Sequence, residues 1–348
     1  MGHDPVAYLA VTLFLLSYFA SVLFSNDTLK SLDALAVLFP GLLIAYILLH
    51  SPPGCVHYIS WCLLLYVATC SCLIILMFVQ SNYVNPARIL FEGGSAALVV
   101  PNDVLAGTIF SPVAAAVWVY DRHPLMKALA VCSLFILAIA VYLTQSRVAI
   151  LTLFFMVLLY LFFRDRQRFL ITGAMVSIAL FLIDALLDLG IIRNFWLLRE
   201  QNSRLGIWLA GLMHWSDHPI LGFGPSNFEI AYELGLTELS VPEWVTMEPR
   251  RVPWAHSLYV EALVERGLLG LIALVFLMAV IFLRLGDHAK SSDNPLSSFH
   301  FFIFIAFCGF AFAGAFEPTM QRIWVANSLF IFLGLACIRH KTPASDRS

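Results

Sequence analysis

The chain has 348 residues, 61% of them hydrophobic and 12% charged, with a mean hydropathy of +0.87. Soluble domains carry about 45–50% apolar and about 25% charged residues, so a water-soluble globule, a disordered chain, a coiled coil and a disulfide-rich secreted scaffold are excluded. The net charge of −2, from 20 basic and 22 acidic residues, implies no nucleic-acid partner.

What remains is an all-α, polytopic transmembrane bundle. Apolar runs long enough to cross a bilayer, about 17–25 residues each, are read at Val6–Phe24, Ala34–His50, Val56–Val79, Ala96–Tyr120, Lys127–Leu143, Val148–Phe163, Phe169–Leu189, Ser257–Leu283, Ser298–Phe316 and Trp324–Ile338. That makes ten spans. No basic residue precedes the first, so no cleavable signal peptide is expected. Numbering the loops alternately, one side collects ten basic residues: Arg122, Lys127, Arg164, Arg166, Arg168, Arg284, Lys290, Arg339, Lys341 and Arg347. The short loops opposite hold four, Lys30, Arg88, Arg147 and Arg322. The positive-inside rule then puts both termini in the cytoplasm. The chain divides into seven spans (1–189), one long outer loop (190–255), and three spans with a cytoplasmic tail (256–348). None of the seven cysteines (Cys55, Cys62, Cys70, Cys72, Cys132, Cys308 and Cys337) falls in that loop, so it offers no external disulfide. There is no internal repeat.

In chain order, Pro101-Asn102-Asp103 lies near the outer end of the fourth span. An acid inside an apolar run is costly and therefore a functional candidate; a wet, proline-kinked helix start is the plainer reading. Thr144-Gln145-Ser146-Arg147 is a very short external turn that leaves Arg147 at the membrane surface. Within the loop, Ser203–Trp215 has an amphipathic pattern, with Leu205, Trp208, Leu212 and Trp215 on one face and Ser203 as N-cap. Such a helix is expected to lie flat on the membrane with its tryptophans at headgroup depth. Arg204 in its first turn opposes the macrodipole, unless an anion sits there; an arginine resting on lipid phosphate is the alternative. Asp217–Phe228 holds two glycines and two prolines, a compact turn in which His218 reads as a turn residue. Leu239–Arg251, with Glu243, Glu248, Arg250 and Arg251, reads as solvent-exposed.

His256 opens the eighth span at the outer boundary. A neutral imidazole there can accept a hydroxyl proton; an interfacial histidine paired with a headgroup or the backbone is the plainer alternative. Arg147, Arg204 and His256 thus come from three separate segments to one side and similar depth. Two guanidinium groups and one titratable base suit a reaction on a lipid-linked phosphate ester. No Asp-rich metal motif and no P-loop is present, so neither metal nor nucleotide cofactor is expected.

The residues Ser203-Arg204, Trp208, His218-Pro219, Gly222-Phe223-Gly224-Pro225 and Asn227-Phe228, followed by His256-Ser257 and Gly267-Leu268-Leu269-Gly270, resemble the O-antigen ligase family of bacterial inner-membrane glycosyltransferases. His256-Ser257, nine residues, Gly267, two residues and Gly270 fit the family's histidine–glycine signature without a gap. Thr144–Arg147 is similar to the family's Ser-Arg turn, and Pro101-Asn102-Asp103 to its Pro-Asn element. The resemblance implies a GT-C-like helical bundle, commonly of about a dozen spans. It also implies a metal-independent enzyme moving a glycan from undecaprenyl pyrophosphate to a sugar hydroxyl of lipid A–core oligosaccharide at the periplasmic face. By position, His256 is the expected general base, Arg147 and Arg204 the expected pyrophosphate ligands, and Tyr259, Arg88, Asp103 and His218 the supporting candidates.

Three other readings stay open. An O-antigen polymerase uses the same carrier, but typically carries a second large arginine-bearing outer loop, whereas Ser81–Ser95 offers only Arg88. A protein O-oligosaccharyltransferase shares the loop motif and differs in its acceptor. A non-enzymatic transporter is disfavoured by the lack of paired intramembrane charges and inverted repeats.

Overall fold

The computed structural model describes residues 4–52, 55–80, 101–144, 146–167, 169–171, 173, 175, 203–238, 252–290 and 295–338. Their architecture is helical, with no strand among the described residues. The elements are α1 (Pro5–Leu23), α2 (Thr28–His50), α3 (Val56–Gln80), α4 (Val104–Tyr120), α5 (Pro124–Thr144), α6 (Arg147–Arg164), α7 (Ser203–Met213), α8 (Phe228–Glu238), α9 (Leu258–Lys290), α10 (Pro295–Ala313) and α11 (Ile323–Cys337). Among them α1, α2, α3, α5, α6 and α9 are long and apolar enough to cross a membrane; α4, α11 and the Phe299–Ala313 part of α10 are shorter apolar helices. The expected span Phe169–Leu189 lies almost wholly outside the described residues, as do Arg88 and Leu239–Arg251.

Short polar residues start the helices. Asp4 Oδ1 accepts from the Val6 and Ala7 amides at 3.1 and 3.3 Å, one residue before Pro5. Asp27 Oδ1 accepts from the Lys30 amide at 3.1 Å, so α2 begins at Thr28 rather than at Ala34. Lys30 thereby becomes a first-turn residue instead of a loop residue, paired with Glu229 at 3.5 Å. Ser146 Oγ caps α6 through the Ala149 amide at 3.4 Å. In the fourth span, Pro101–Asp103 is a 3-10 turn and the described helix begins at Val104.

Between lipid-facing helices, association depends on close packing rather than on expelling water. On α2, a Cβ at Gly41 would lie 2.7 Å from Phe330 Cδ2 and 3.1 Å from the Ala326 carbonyl of α11, so only glycine permits that approach. Phe110 and Phe332 stack at 5.1 Å in the centre of the bundle, while Leu23, Leu29 and Tyr142 point outward. The buried hydroxyls of Ser71 and Thr108 close onto their own helices, donating to the Val67 carbonyl at 2.7 Å and the Val104 carbonyl at 2.9 Å.

The bundle has two polar ends. At one, Arg284 near the end of α9 pairs with Asp4 at 2.9 Å. At the other end the α1–α2 corner, Pro101–Asp103, the start of α9 and the α10–α11 connection meet. A second small core sits there, built from Ile207 and Ala210 of α7, Phe228, Ala231 and Tyr232 of α8, and Phe223, Val252, Ala255 and Val264. Gly235 of α8 lies so close to α7 that a Cβ would stand 2.3 Å from the Ala210 carbonyl. The most buried residues of α7 in this core are Ile207 and Ala210, packed on α8, while Trp208 and Leu212 of the expected stripe are partly buried against the same core. Ser203 is the first helical residue of α7, not its N-cap. Trp208 does not reach outward for a headgroup: its Nε1 donates to the Ala255 carbonyl at 2.8 Å.

Candidate active site

The glycine-rich turn and the start of α9 form one unit. Gly267 breaks α9, with φ 64° and ψ −166°, a left-handed region that glycine enters without steric cost. The break exposes backbone groups in the middle of a helix, and the turn takes them up. Leu268 and Leu269 amides donate to the Pro219 and Ile220 carbonyls at 2.9 and 3.2 Å. The Phe223 and Gly224 amides donate to the Val264 and Glu265 carbonyls at 3.1 and 2.8 Å. Ser21 Oγ donates to the Leu221 and Glu265 carbonyls at 2.7 and 2.9 Å, and Asn227 Nδ2 to the Ser25 and Ser31 hydroxyls, each at 2.8 Å. His218 stays a turn residue, its carbonyl accepting from the Gly222 amide at 2.9 Å and its ring set edge-on to Phe223 at 4.7 Å.

Inside this junction the first turns of α9 carry buried titratable side chains. Glu261 Oε1 accepts from the Met320 amide at 2.9 Å, and Glu265 Oε1 from the Phe228 amide at 3.2 Å and Gln321 Nε2 at 3.1 Å. The Arg266 guanidinium lies over the Tyr18 ring at 4.4 Å and the Phe14 ring at 5.4 Å, a desolvated cation–π arrangement. These side chains fasten α1, α8 and the α10–α11 connection to α9. Tyr259 serves the same purpose, its hydroxyl donating to the Ala311 carbonyl at 2.8 Å.

His256 sits just before α9 with φ 50°, a conformation uncommon outside glycine though less so for histidine than for most residues. The chain is pinned on both sides of it, at Ala255 by Trp208 and at Leu258, whose amide donates a hydrogen bond to the Gly314 carbonyl at 2.8 Å. Its side chain is 27% exposed, and Nδ1 lies 3.1 Å from Glu317 Oε1. An ionised carboxylate only accepts, so Nδ1 carries the proton. Among the described residues Nε2 has no hydrogen-bond partner.

Glu317, on the α10–α11 connection and 8% exposed, is where the segments meet. Arg204 donates from Nη2 to Glu317 Oε2 and from Nη1 to the Phe316 carbonyl. Asn102 Nδ2 donates to Glu317 Oε1. Burial pushes this carboxyl up, but the hydrogen bond and charge of His256, the Arg204 guanidinium and the Asn102 amide together pull it below its ordinary value of 4.5. The anion that Arg204 requires at the start of α7 is thus supplied by the protein itself. Asp103, next to Asn102, accepts from Arg322 Nε at 3.2 Å and Trp324 Nε1 at 2.7 Å and is also held by Arg322 Nη2. Its carboxylate clamps the far end of the connection that carries Glu317.

Arg204, His256 and the Asn102–Asp103 pair therefore come together. Arg147 is the first residue of α6 and is exposed; Arg88 lies outside the described residues. Glu317 and Arg322 carry no recognisable local motif. Their only signal in the sequence is position: a short connection on the same side of the membrane as His256.

Helices of this number and hydropathy, closed at one polar end by a cluster of charged side chains, define a multi-pass helical membrane protein. Residues 132–275 match the family model for O-antigen ligase, so over that stretch the chain is similar to the O-antigen ligase family. The match takes in Arg147, Arg204 and His256 but ends before Glu317. No curated protein matches the chain.

Proposed function

We propose that the chain is a lipid-linked glycan ligase. It takes a glycan from undecaprenyl pyrophosphate and joins it to a sugar hydroxyl of lipid A–core oligosaccharide at the periplasmic face of the inner membrane. Arg147 and Arg204 hold the pyrophosphate. His256 Nε2 takes the proton as the acceptor oxygen bonds to the anomeric carbon, and the pyrophosphate leaves with the electron pair of the broken C–O bond. The charge that must be stabilised is already matched by guanidinium groups, so the reaction runs without a metal, and activity should survive EDTA.

The observation that carries this reading is the meeting of Arg204 and His256 on one carboxylate at a polar end of the bundle. An anion-binding fork and a proton acceptor in adjacent positions are what a phosphate leaving group and a hydroxyl nucleophile require. The test is a lipopolysaccharide gel of a bacterium deleted for this chain. Loss of the whole ladder, with carrier-linked glycan accumulating, supports the ligase. Core plus a single repeat unit would indicate a polymerase, and unchanged lipopolysaccharide a protein glycosylase.

A further inference from the structure

We propose that Glu317 is the positioning residue of the reaction: it sets the tautomer of His256 and holds Arg204 beside it, so that base and anion-binding fork form one preorganised unit. This rests on the assignment of His256 as the base. The argument is one of hydrogen-bond inventory. A neutral imidazole has one N–H and one acceptor nitrogen, and the partner of one nitrogen decides the role of the other. Glu317 Oε1 stands 3.1 Å from Nδ1, so the proton is held on Nδ1 and the lone pair is left on Nε2. When Nε2 has taken the acceptor proton, the imidazolium lies against a carboxylate. Oε2 of the same group fixes the Arg204 guanidinium, whose other Nη donates to the Phe316 carbonyl. A guanidinium has five N–H bonds, so two can be spent on Phe316 and Glu317 while others are directed at an oxyanion.

The carboxylate itself is not free to swing. Asn102 donates to Oε1, and the connection is anchored five residues on by the Asp103–Arg322 pair.

Replacing Glu317 by glutamine tests this by inverting the proton. Arg204 has only donors, so the glutamine carbonyl must face it, and the amide N–H then points at His256 Nδ1. Nδ1 becomes an acceptor and the ring proton moves to Nε2, where it blocks proton uptake. In purified protein in liposomes, with undecaprenyl-pyrophosphate glycan and lipid A–core oligosaccharide, Glu317→Gln should lower kcat by about 10²-fold or more and leave the donor KM within about threefold. Glu317→Asp keeps the charge at shorter reach and should recover part of kcat. In ¹⁵N-histidine NMR above the imidazole titration, with His256 assigned by subtracting a His256→Gln spectrum, wild type should show the Nδ1–H form and Glu317→Gln the Nε2–H form. A wild-type Nε2–H form would overturn the proposal, and this measurement decides the matter even if the glutamine variant does not fold. So would near-normal kcat in Glu317→Gln, or parallel losses in kcat and donor affinity with the tautomer unchanged. Full turnover in His256→Ala is a different result, sinking the base assignment itself.

Discussion

At the scale of single residues, the site depends on a small set of side chains that each satisfy several constraints. Arg204 holds the Phe316 carbonyl and the Glu317 carboxylate at once, through separate nitrogens of one planar fork. A lysine brings the same charge as one compact ammonium. Arg204→Lys is expected to lose at least about tenfold in kcat/KM for the lipid-linked donor; full activity in that variant would make Arg204 a headgroup anchor rather than a pyrophosphate ligand. His256→Ala should cut turnover by about 10²-fold or more with donor binding retained, read as single-turnover transfer beside a donor-binding isotherm. Glu317 also has a stability signature. Its carboxyl lies below the ordinary 4.5, so at acid pH the unfolded chain binds more protons at this group than the folded chain does. The stabilisation it contributes is complete above 4.5 and disappears as pH falls through the depressed value. The difference in Tm between wild type and Glu317→Gln should therefore be largest near neutrality and shrink on acidification below about pH 4. A constant difference across that range would show that the carboxylate charge is not what Glu317 contributes.

At the scale of elements, the glycine signature is a joint between helix and turn. The residues flanking Gly267 (Val264, Glu265, Leu268 and Leu269) and Pro219–Gly224 exchange backbone hydrogen bonds in both directions, so these groups at the helix break find partners in the turn. A Cβ at Gly267 would stand 2.3 Å from the Ile220 backbone on top of a φ of +64°. Gly267→Ala should consequently cost about 3 kcal/mol or more and lower Tm sharply in detergent. Gly286→Ala on the same helix meets only Phe304 Cε2 at 3.6 Å and should be neutral or slightly stabilising, since alanine is the better helix former. Equal Tm values for the two variants would contradict this account of the joint. The glycine spacing was readable in the sequence because it is a local pattern. The packing of α7 was not, because its stripe of Leu205, Trp208, Leu212 and Trp215 has the periodicity of a membrane-surface helix. What redirects it is Gly235, more than twenty residues away, whose missing side chain lets α8 approach Ala210. Glu317 was invisible for a similar reason: its meaning comes from His256, 61 positions earlier, and from Arg204, 113 positions earlier, and no local spacing encodes either.

At the scale of the whole molecule, hydropathy made the helical bundle legible, whereas it missed the start of α2, where the polar cap Asp27 lies outside the apolar run. Parity of the helices is a stronger constraint than any one boundary. Asp4 and Arg284 meet at one end; the α1–α2 corner, Asn102, Arg204, His256 and Glu317 meet at the other. Whatever the orientation in the bilayer, these catalytic candidates must therefore face the same compartment. The positive-inside rule predicts that this compartment is the outside, and a single accessibility measurement can challenge the whole set. Thr237 is exposed near the end of α8, its hydroxyl donating to the Leu234 carbonyl at 2.8 Å, so a cysteine there leaves the packing of α7 on α8 untouched. Thr237→Cys should react with a membrane-impermeant maleimide in intact spheroplasts, well above the labelling of the parent chain. Reaction only after lysis would reverse the orientation, and would remove Arg204, His256 and Glu317 together from the side on which a periplasmic transferase must work.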